Sequence, residues 1–190
     1  TYLIGVSVVA ASMIGIPIGI WAAGNDRVHR AAQVVIDTLQ TLPAFVYLIP
    51  VVMLFRVGEF SAMIAVVAYS LVPIIRYTDH GIRQVPQSII EAATAAGCNR
   101  RQKLWKVQLP LALPEIMLGV NQTIMLGLSM LVITALVGTR DLGQEVYIAL
   151  TKADTGRGLV AGVCVAFIAM ISDRLISAWS ALRKKQLGLI

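Results

Sequence analysis

Apolar residues run almost unbroken through five stretches of this 190-residue chain, and short polar segments, most of them basic, separate the stretches. Crossing the hydrocarbon of a bilayer takes about twenty predominantly apolar residues in a helix. Stretches of that kind lie at about Tyr2–Ala23, Ala31–Phe55, Phe60–Tyr77, Pro114–Val137 and Leu159–Ala181. The second contains Pro43 and Pro50 and is read as one slightly interrupted span. The pattern predicts an all-α membrane protein of about five transmembrane helices. It forms a single transmembrane domain over 1–190, with one polar loop at about 78–113 and an opposite one at about 139–157.

The larger loop carries its own helical signal. Ile89, Ile90 and the run Glu91-Ala92-Ala93-Thr94-Ala95-Ala96 follow Pro86 and end at Gly97, a helix start and stop of the usual kind. A short surface helix is therefore expected across one face of the membrane. Pro17, Pro43, Pro50 and Pro73 fall inside or at the edge of spans. Such residues survive in lipid where neighbouring helices or a water-lined cavity satisfy the freed backbone groups, so they fit pathway lining as well as ordinary kinks. Gly15/Gly19 and Gly158/Gly162 are each four apart, a spacing that permits close helix packing.

Composition agrees with the pattern. Hydrophobic residues make up 57% of the chain and charged residues 14%, against roughly a quarter charged in soluble domains. The net charge of +6 is a matter of topology rather than of nucleic-acid binding, because the basic residues cluster between apolar runs. Twelve of the sixteen Lys and Arg residues fall on one side: Arg27, Arg30, Arg76, Arg83, Arg100, Arg101, Lys103, Lys106, Arg174, Arg183, Lys184 and Lys185. Arg56, Arg140, Lys152 and Arg157 fall on the other. The positive-inside bias then predicts an N-terminus outside and a C-terminus in the cytoplasm. No basic region or cleavage site precedes the first span, and Thr1 opens directly on it, as in the trimmed core of a longer protein. Cys98 and Cys164 have no ligand or disulfide spacing and are read as free thiols; His29 and His80 have none either, so no metal is expected.

Glu91-Ala92-Ala93, three residues, Gly97, nine residues and Val107-Gln108-Leu109-Pro110 carry the most specific signal. This resembles the EAA loop of permeases in binding-protein-dependent ATP-binding-cassette importers, with Val107 where the pattern has Ile. Small Ala92, Ala93, Ala95 and Ala96 let a helix lie close to a partner, and Gly97 can end it in a left-handed conformation. Glu91 is read as complementing the positive end of the helix dipole. Arg100, Arg101 and Lys103 supply polar contacts just beyond. An interfacial amphipathic helix without a partner is the plainer reading of the same residues.

The segments Asp37-Thr38-Leu39-Gln40-Thr41-Leu42-Pro43-Ala44-Phe45-Val46-Tyr47-Leu48-Ile49-Pro50, Val107-Gln108-Leu109-Pro110-Leu111-Ala112 and Gly119-Val120-Asn121-Gln122-Thr123-Ile124-Met125-Leu126-Gly127-Leu128-Ser129-Met130 look like the glycine betaine and proline betaine importer permeases, and that similarity covers essentially the whole chain. Thr139-Arg140-Asp141 depart from the small residues that often follow Gly138 in that family. The resemblance implies ATP-driven uptake of a quaternary amine or osmolyte: glycine betaine, proline betaine, choline, carnitine or trimethylamine oxide. It implies a non-catalytic subunit that binds no cofactor, with ATP and Mg on two cytoplasmic ATPase copies. It further implies a second permease, expected as a second copy of this chain, and an extracytoplasmic substrate-binding protein that docks on outer loops including 139–157. Within this implication Glu91, Ala92, Ala93, Gly97, Arg100, Arg101, Lys103, Leu109 and Pro110 form the ATPase-coupling loop. Phe45, Tyr47, Asn121, Gln122 and Met125, polar or aromatic residues within spans, are the candidate pathway lining, and core packing explains each equally well. Because only 6% of the chain is aromatic, solute selectivity is expected mainly in the binding protein. Asp173 and Arg174 lie close enough to a boundary for interhelix pairing or snorkelling. A permease for a different small solute is the nearest competing reading. An ion-coupled secondary transporter is more distant, since no internal repeat is visible.

Overall fold

The computed structural model describes residues 2–188, and helices account for every regular element among them. Helix α1 spans Tyr2–Ala23, α2 Asp26–Thr41, α3 Ala44–Phe55, α4 Glu59–Arg83 and α5 Gln87–Ala95. Helix α6 (Arg100–Lys103) passes through a π turn at Leu104–Gln108 into α7 (Leu109–Ala135). Two more follow, α8 at Leu142–Lys152 and α9 at Thr155–Gln186.

Contacts between helices define the direction of each crossing. Tyr2 donates its hydroxyl to Glu59, and a methyl placed on Gly15 or Gly19 would strike Ile74 or Thr78. Arg83 Nη2 donates to the carbonyl of Ala22 at 3.1 Å. Helices α1 and α4 therefore run parallel in close contact, and α2 with α3 must carry the chain back across the same thickness. Helix α7 runs antiparallel to α4, since Gly81 abuts Ala112 and Glu115, Gly119 abuts Ile74 and Tyr77, and Gly127 faces Val66. Helix α9 is antiparallel to α7: Asn121 meets Asp173, Ser180 meets Pro114 and Lys184 meets Glu115. Among the described residues the helices make five crossings, the second of them from the bent pair of α2 and α3. One end, called here the basic end, gathers Asp26, Arg83, Arg100, Glu115 and Lys184.

The second crossing differs from the single span expected at Ala31–Phe55. It starts earlier, at Asp26, and consists of two helices at 94° to one another. Pro43 explains the break: its ring disfavours α geometry at the residue before it, and Leu42 is extended at φ −78°, ψ 132°. Pro50 sits within α3 without ending it. Only Ile36 is buried in α2, so this helix lies over the bundle rather than inside it. Three other crossings are longer than expected: α4 continues to Arg83, α7 is continuous with the loop helix from Arg100, and α9 reaches Gln186. The 139–157 segment, read as a loop, contains α8 between α7 and α9, capped by Asp141, which accepts from Gly143 N at 2.9 Å.

Small residues make the bundle centre. Ser7, Ala11, Ala62, Ala65, Ser70 and Thr123 are fully buried where α1, α4 and α7 meet. Large apolar side chains face outward instead, among them Trp21, Met53, Leu54, Leu159, Phe167 and Leu175. Of the 32 residues of α9, only Ala161 and Ser180 are buried. That inversion of a water-soluble protein's pattern suits a lipid surround, where close backbone packing rather than the hydrophobic effect joins helices.

Candidate functional site

Helix α4 presents one stripe to a cavity of about 830 Å³: Tyr69, Val72, Pro73, Arg76, Tyr77, Asp79, His80 and Arg83. The repeat of three and four residues is that of one helical face. Helix α2 and the first turn of α3 form the facing wall through His29, Gln33, Ile36, Asp37, Gln40 and Tyr47, and α7 contributes Gln122 and Leu126. The Pro43 bend creates this space, because it turns α3 across the bundle and leaves α2 alongside α4.

Polarity is graded along the cavity. At its deep end the rings of Tyr47 and Tyr69 meet edge to face with centroids 5.4 Å apart, and Tyr47 donates its hydroxyl to Leu39 O at 2.6 Å. Both pack against an apolar cluster of Leu3, Leu48, Ala62, Ala65, Val66, Met130 and Val137. Toward the basic end, Arg76 pairs with Asp37. His29 Nδ1 lies 2.6 Å from Asp79 Oδ2. Arg83 joins Asp79 at 3.1 Å and Asp26 at 2.8 Å. These pairs pin α2 against α4, and Arg83 also reaches α1 through Ala22 O. Asp79 is almost fully buried, so its charge is held by two partners rather than by water.

At the basic end, α5 projects from the bundle with no buried residue. It ends on Gly97 at φ +83°, where Gly97 N donates to Thr94 O and Cys98 N to Ala93 O, both at 3.0 Å. These bonds satisfy the last carbonyls of the helix in the glycine-capped ending expected of it. Asn99 then starts α6, accepting from Gln102 N at 2.8 Å while its own N–H donates to Gln102 Oε1 at 2.9 Å. Lys103 Nζ reaches Thr94 at 3.1 Å, and Arg100 Nη2 donates to Gly24 O at 2.7 Å. The loop is thereby tied to the α1–α2 turn. Arg101 stays exposed beside an exposed Trp105. Glu91 lies in the second turn of α5, not the first, because the helix starts at Gln87; its carboxylate is too far along to act on the helix dipole. Pro110, which has no N–H to give Lys106, accounts for the π turn just before it, and Leu109 N bonds to Leu104 O there.

The five pathway candidates separate. Tyr47 and Gln122 line the cavity. Asn121 is buried and donates to Asp173 Oδ1 at 2.7 Å, which turns it toward α9. Phe45 is exposed on the outside of α3, and Met125 is half-buried away from the cavity wall. Sequence reasoning passed over Tyr69 and Tyr77, two turns apart on one face of α4, and the His29–Asp79–Arg83–Asp26 network. A signal for the first was present in the Tyr69-Pro73-Tyr77 spacing; the second depends on α2 lying beside α4, which no local pattern announces.

Residues 15–182 match the family described as "Binding-protein-dependent transport system inner membrane component". The chain belongs to this family. Among its relatives, this inner membrane component is 44% identical over 188 residues to the trimethylamine N-oxide transport system permease protein TmoV of Ruegeria pomeroyi, covering 99% of this chain and 29% of that protein. It is 46% identical to the glycine betaine transport system permease protein OpuAB of Bacillus subtilis, over 91% of this chain and 61% of that one. Identity is 47% to the glycine betaine/proline betaine transport system permease protein ProW of Escherichia coli, over 87% and 47% respectively. The chain thus spans less than two thirds of the length of each of these relatives. In fold, the chain matches a structure described as inward-facing conformations of the MetNI methionine ABC transporter, with a TM-score of 0.85 at 19% identity, covering 96% of this chain and 91% of that one.

Proposed function

We propose that this chain is the membrane-spanning permease subunit of an ATP-driven importer for a small quaternary amine or related osmolyte, glycine betaine and proline betaine first, with choline, carnitine and trimethylamine oxide in the same class. The observation that carries the reading is the pairing, at one end of the bundle, of a projecting α5 with no buried residue and a cavity that runs inward from the same end. A separate ATPase that grips α5 would act on α7 through the α6 and π-turn segment, and α7 lines the cavity. Glu91, Ala92, Ala93, Gly97, Arg100, Arg101, Lys103, Leu109 and Pro110 form that coupling loop. Arg100 braces it against Gly24, and Arg101 is free to meet the partner.

In this reading the basic end faces the cytoplasm, with α1 beginning outside and α9 ending inside. Two ATPases carry ATP and Mg, a second copy of the permease completes the pore, and a binding protein docks on the outer face around α8. The chain itself performs no hydrolysis. The solute class rests on the relatives, whose names specify betaines and trimethylamine N-oxide.

Uptake of radiolabelled glycine betaine into proteoliposomes holding permease, ATPase and binding protein, with and without internal ATP, tests this. ATP-dependent uptake competed by the other methylated amines is the expected outcome. Uptake independent of ATP sinks the coupling, and no uptake of any methylated amine sinks the solute class.

A further inference from the structure

Three of the five tyrosines of this chain line one cavity, although the chain as a whole is poor in aromatics. Tyr47 and Tyr69 stand at its deep end, edge to face, and both form part of the cavity wall. Both are half-buried, where water competes less for a cation than it does at the surface. The contacts of Gly119 with Ile74 and Tyr77, and of Gly127 with Val66, set Gln122 level with Val72 and Pro73. That is about one helical turn, ~5 Å, from Tyr69 toward the basic end. Gln122 is exposed to the cavity, and its amide carries two N–H donors.

Charge along the rest of the cavity cancels. Its ionisable lining is Asp37 and Asp79 against Arg76 and Arg83, with His29 and His80. Two carboxylates thus stand against two guanidiniums, so these four groups add no net formal charge to the wall. A solute of zero net charge passes such a wall most easily.

We infer that Tyr47, Tyr69 and Gln122 form a transit site inside the permease for a net-neutral methylated amine, the tyrosine rings taking the methylated cationic nitrogen and the Gln122 amide donating to the solute's oxygen. A betaine carboxylate and an amine oxide both place an acceptor within a few ångström of such a nitrogen. Tyr77, two turns along α4 and ~12 Å from Tyr69, is the next ring on the way to the basic end. The site rests on the quaternary-amine reading above and deepens it: discrimination would not belong to the external binding protein alone.

The test uses the complete importer in proteoliposomes. Tyr47→Leu and Tyr69→Leu are each expected to lower the initial rate of ATP-dependent glycine betaine uptake about tenfold, the scale of one desolvated cation–ring contact. Tyr69→Phe recovers most of what Tyr69→Leu loses, since the ring carries the attraction. Trp21→Leu, on the outside of the bundle, leaves the rate unchanged. A second measurement needs no variant: labelled glycine betaine bound to the wild-type permease–ATPase complex, without binding protein, is displaced by unlabelled glycine betaine and not by 3,3-dimethylbutanoate, which has carbon in place of the cationic nitrogen. Leucine variants that copurify with the ATPase and transport at the wild-type rate overturn the site, as does equal displacement by 3,3-dimethylbutanoate. A wild-type importer that carries no methylated amine overturns the parent reading instead, so the two failures are distinct.

Discussion

Replacing Gly19 with alanine should force α1 and α4 apart. The added methyl would stand 2.6 Å from Thr78 Cβ and 2.9 Å from the carbonyl oxygen of Ile75. Carbon atoms settle at about 3.5–4.0 Å, so the helices must separate locally by about 1 Å, and neither obstacle is a side-chain tip that can swing away. Overpacking of this kind costs about 1–3 kcal/mol. Alanine returns up to about 1 kcal/mol as a better helix former than glycine, which leaves a net loss of up to about 2 kcal/mol. Gly162 is the matched control, because a methyl there meets nothing within 4 Å; Gly162→Ala should be neutral or slightly stabilising. Thermal unfolding of the purified protein in one detergent compares the two. The parallel contact of α1 with α4 predicts a Tm lower by a few degrees for Gly19→Ala alone. Equal shifts for both variants, or none for Gly19→Ala, would refute the packing argument.

Gly97→Val meets no atom but forces a β-branched residue to φ +83°, at about 1–2 kcal/mol; membrane insertion should be normal, while uptake is abolished and ATP hydrolysis runs uncoupled, with normal uptake counting against the coupling role. Arg101→Glu should weaken copurification of the ATPase, whereas Arg100→Glu should loosen the loop from Gly24 and raise its protease sensitivity; the same phenotype from both would contradict the division of labour. Asn121→Leu or Asp173→Leu alone leaves a partner unsatisfied between α7 and α9, about 1–3 kcal/mol in each case. The double replacement should recover most of that loss in thermal unfolding, and simple additivity would show that the pair does not interact.

Local chemistry was readable in this chain and long-range placement was not. Pro86, Gly97 and the alanines between them announce α5 and its left-handed end, because every determinant lies within a dozen residues. Pro43 was noticed, yet how far the chain turns at Leu42–Pro43 depends on what α2 and α3 pack against, so one slightly interrupted span was expected where two helices meet at 94°. The two glycine pairs look alike in sequence. Gly15 and Gly19 sit under Ile74 and Thr78, while a methyl added at Gly158 would meet only Ala149 and one at Gly162 nothing within 4 Å, a distinction that belongs to the neighbour and not to the motif. Composition was silent in one respect: a low aromatic content says nothing about where the aromatics go, and Tyr47, Tyr69 and Tyr77 gather at one cavity. Asn121 and Gln122 are adjacent in sequence but lie about 100° apart around α7, so one serves α9 and the other the cavity.

The helix that begins at Arg100 continues to Ala135 with a single softened turn at Leu104–Gln108. Counting from Arg100, Gln122 lies 22 residues on, a rod of about 33 Å with its π turn near the foot. In the importer reading proposed above, a partner that displaces α5 would move the foot of this rod, and the shaft from Leu109 leads from there to the cavity wall at Gln122.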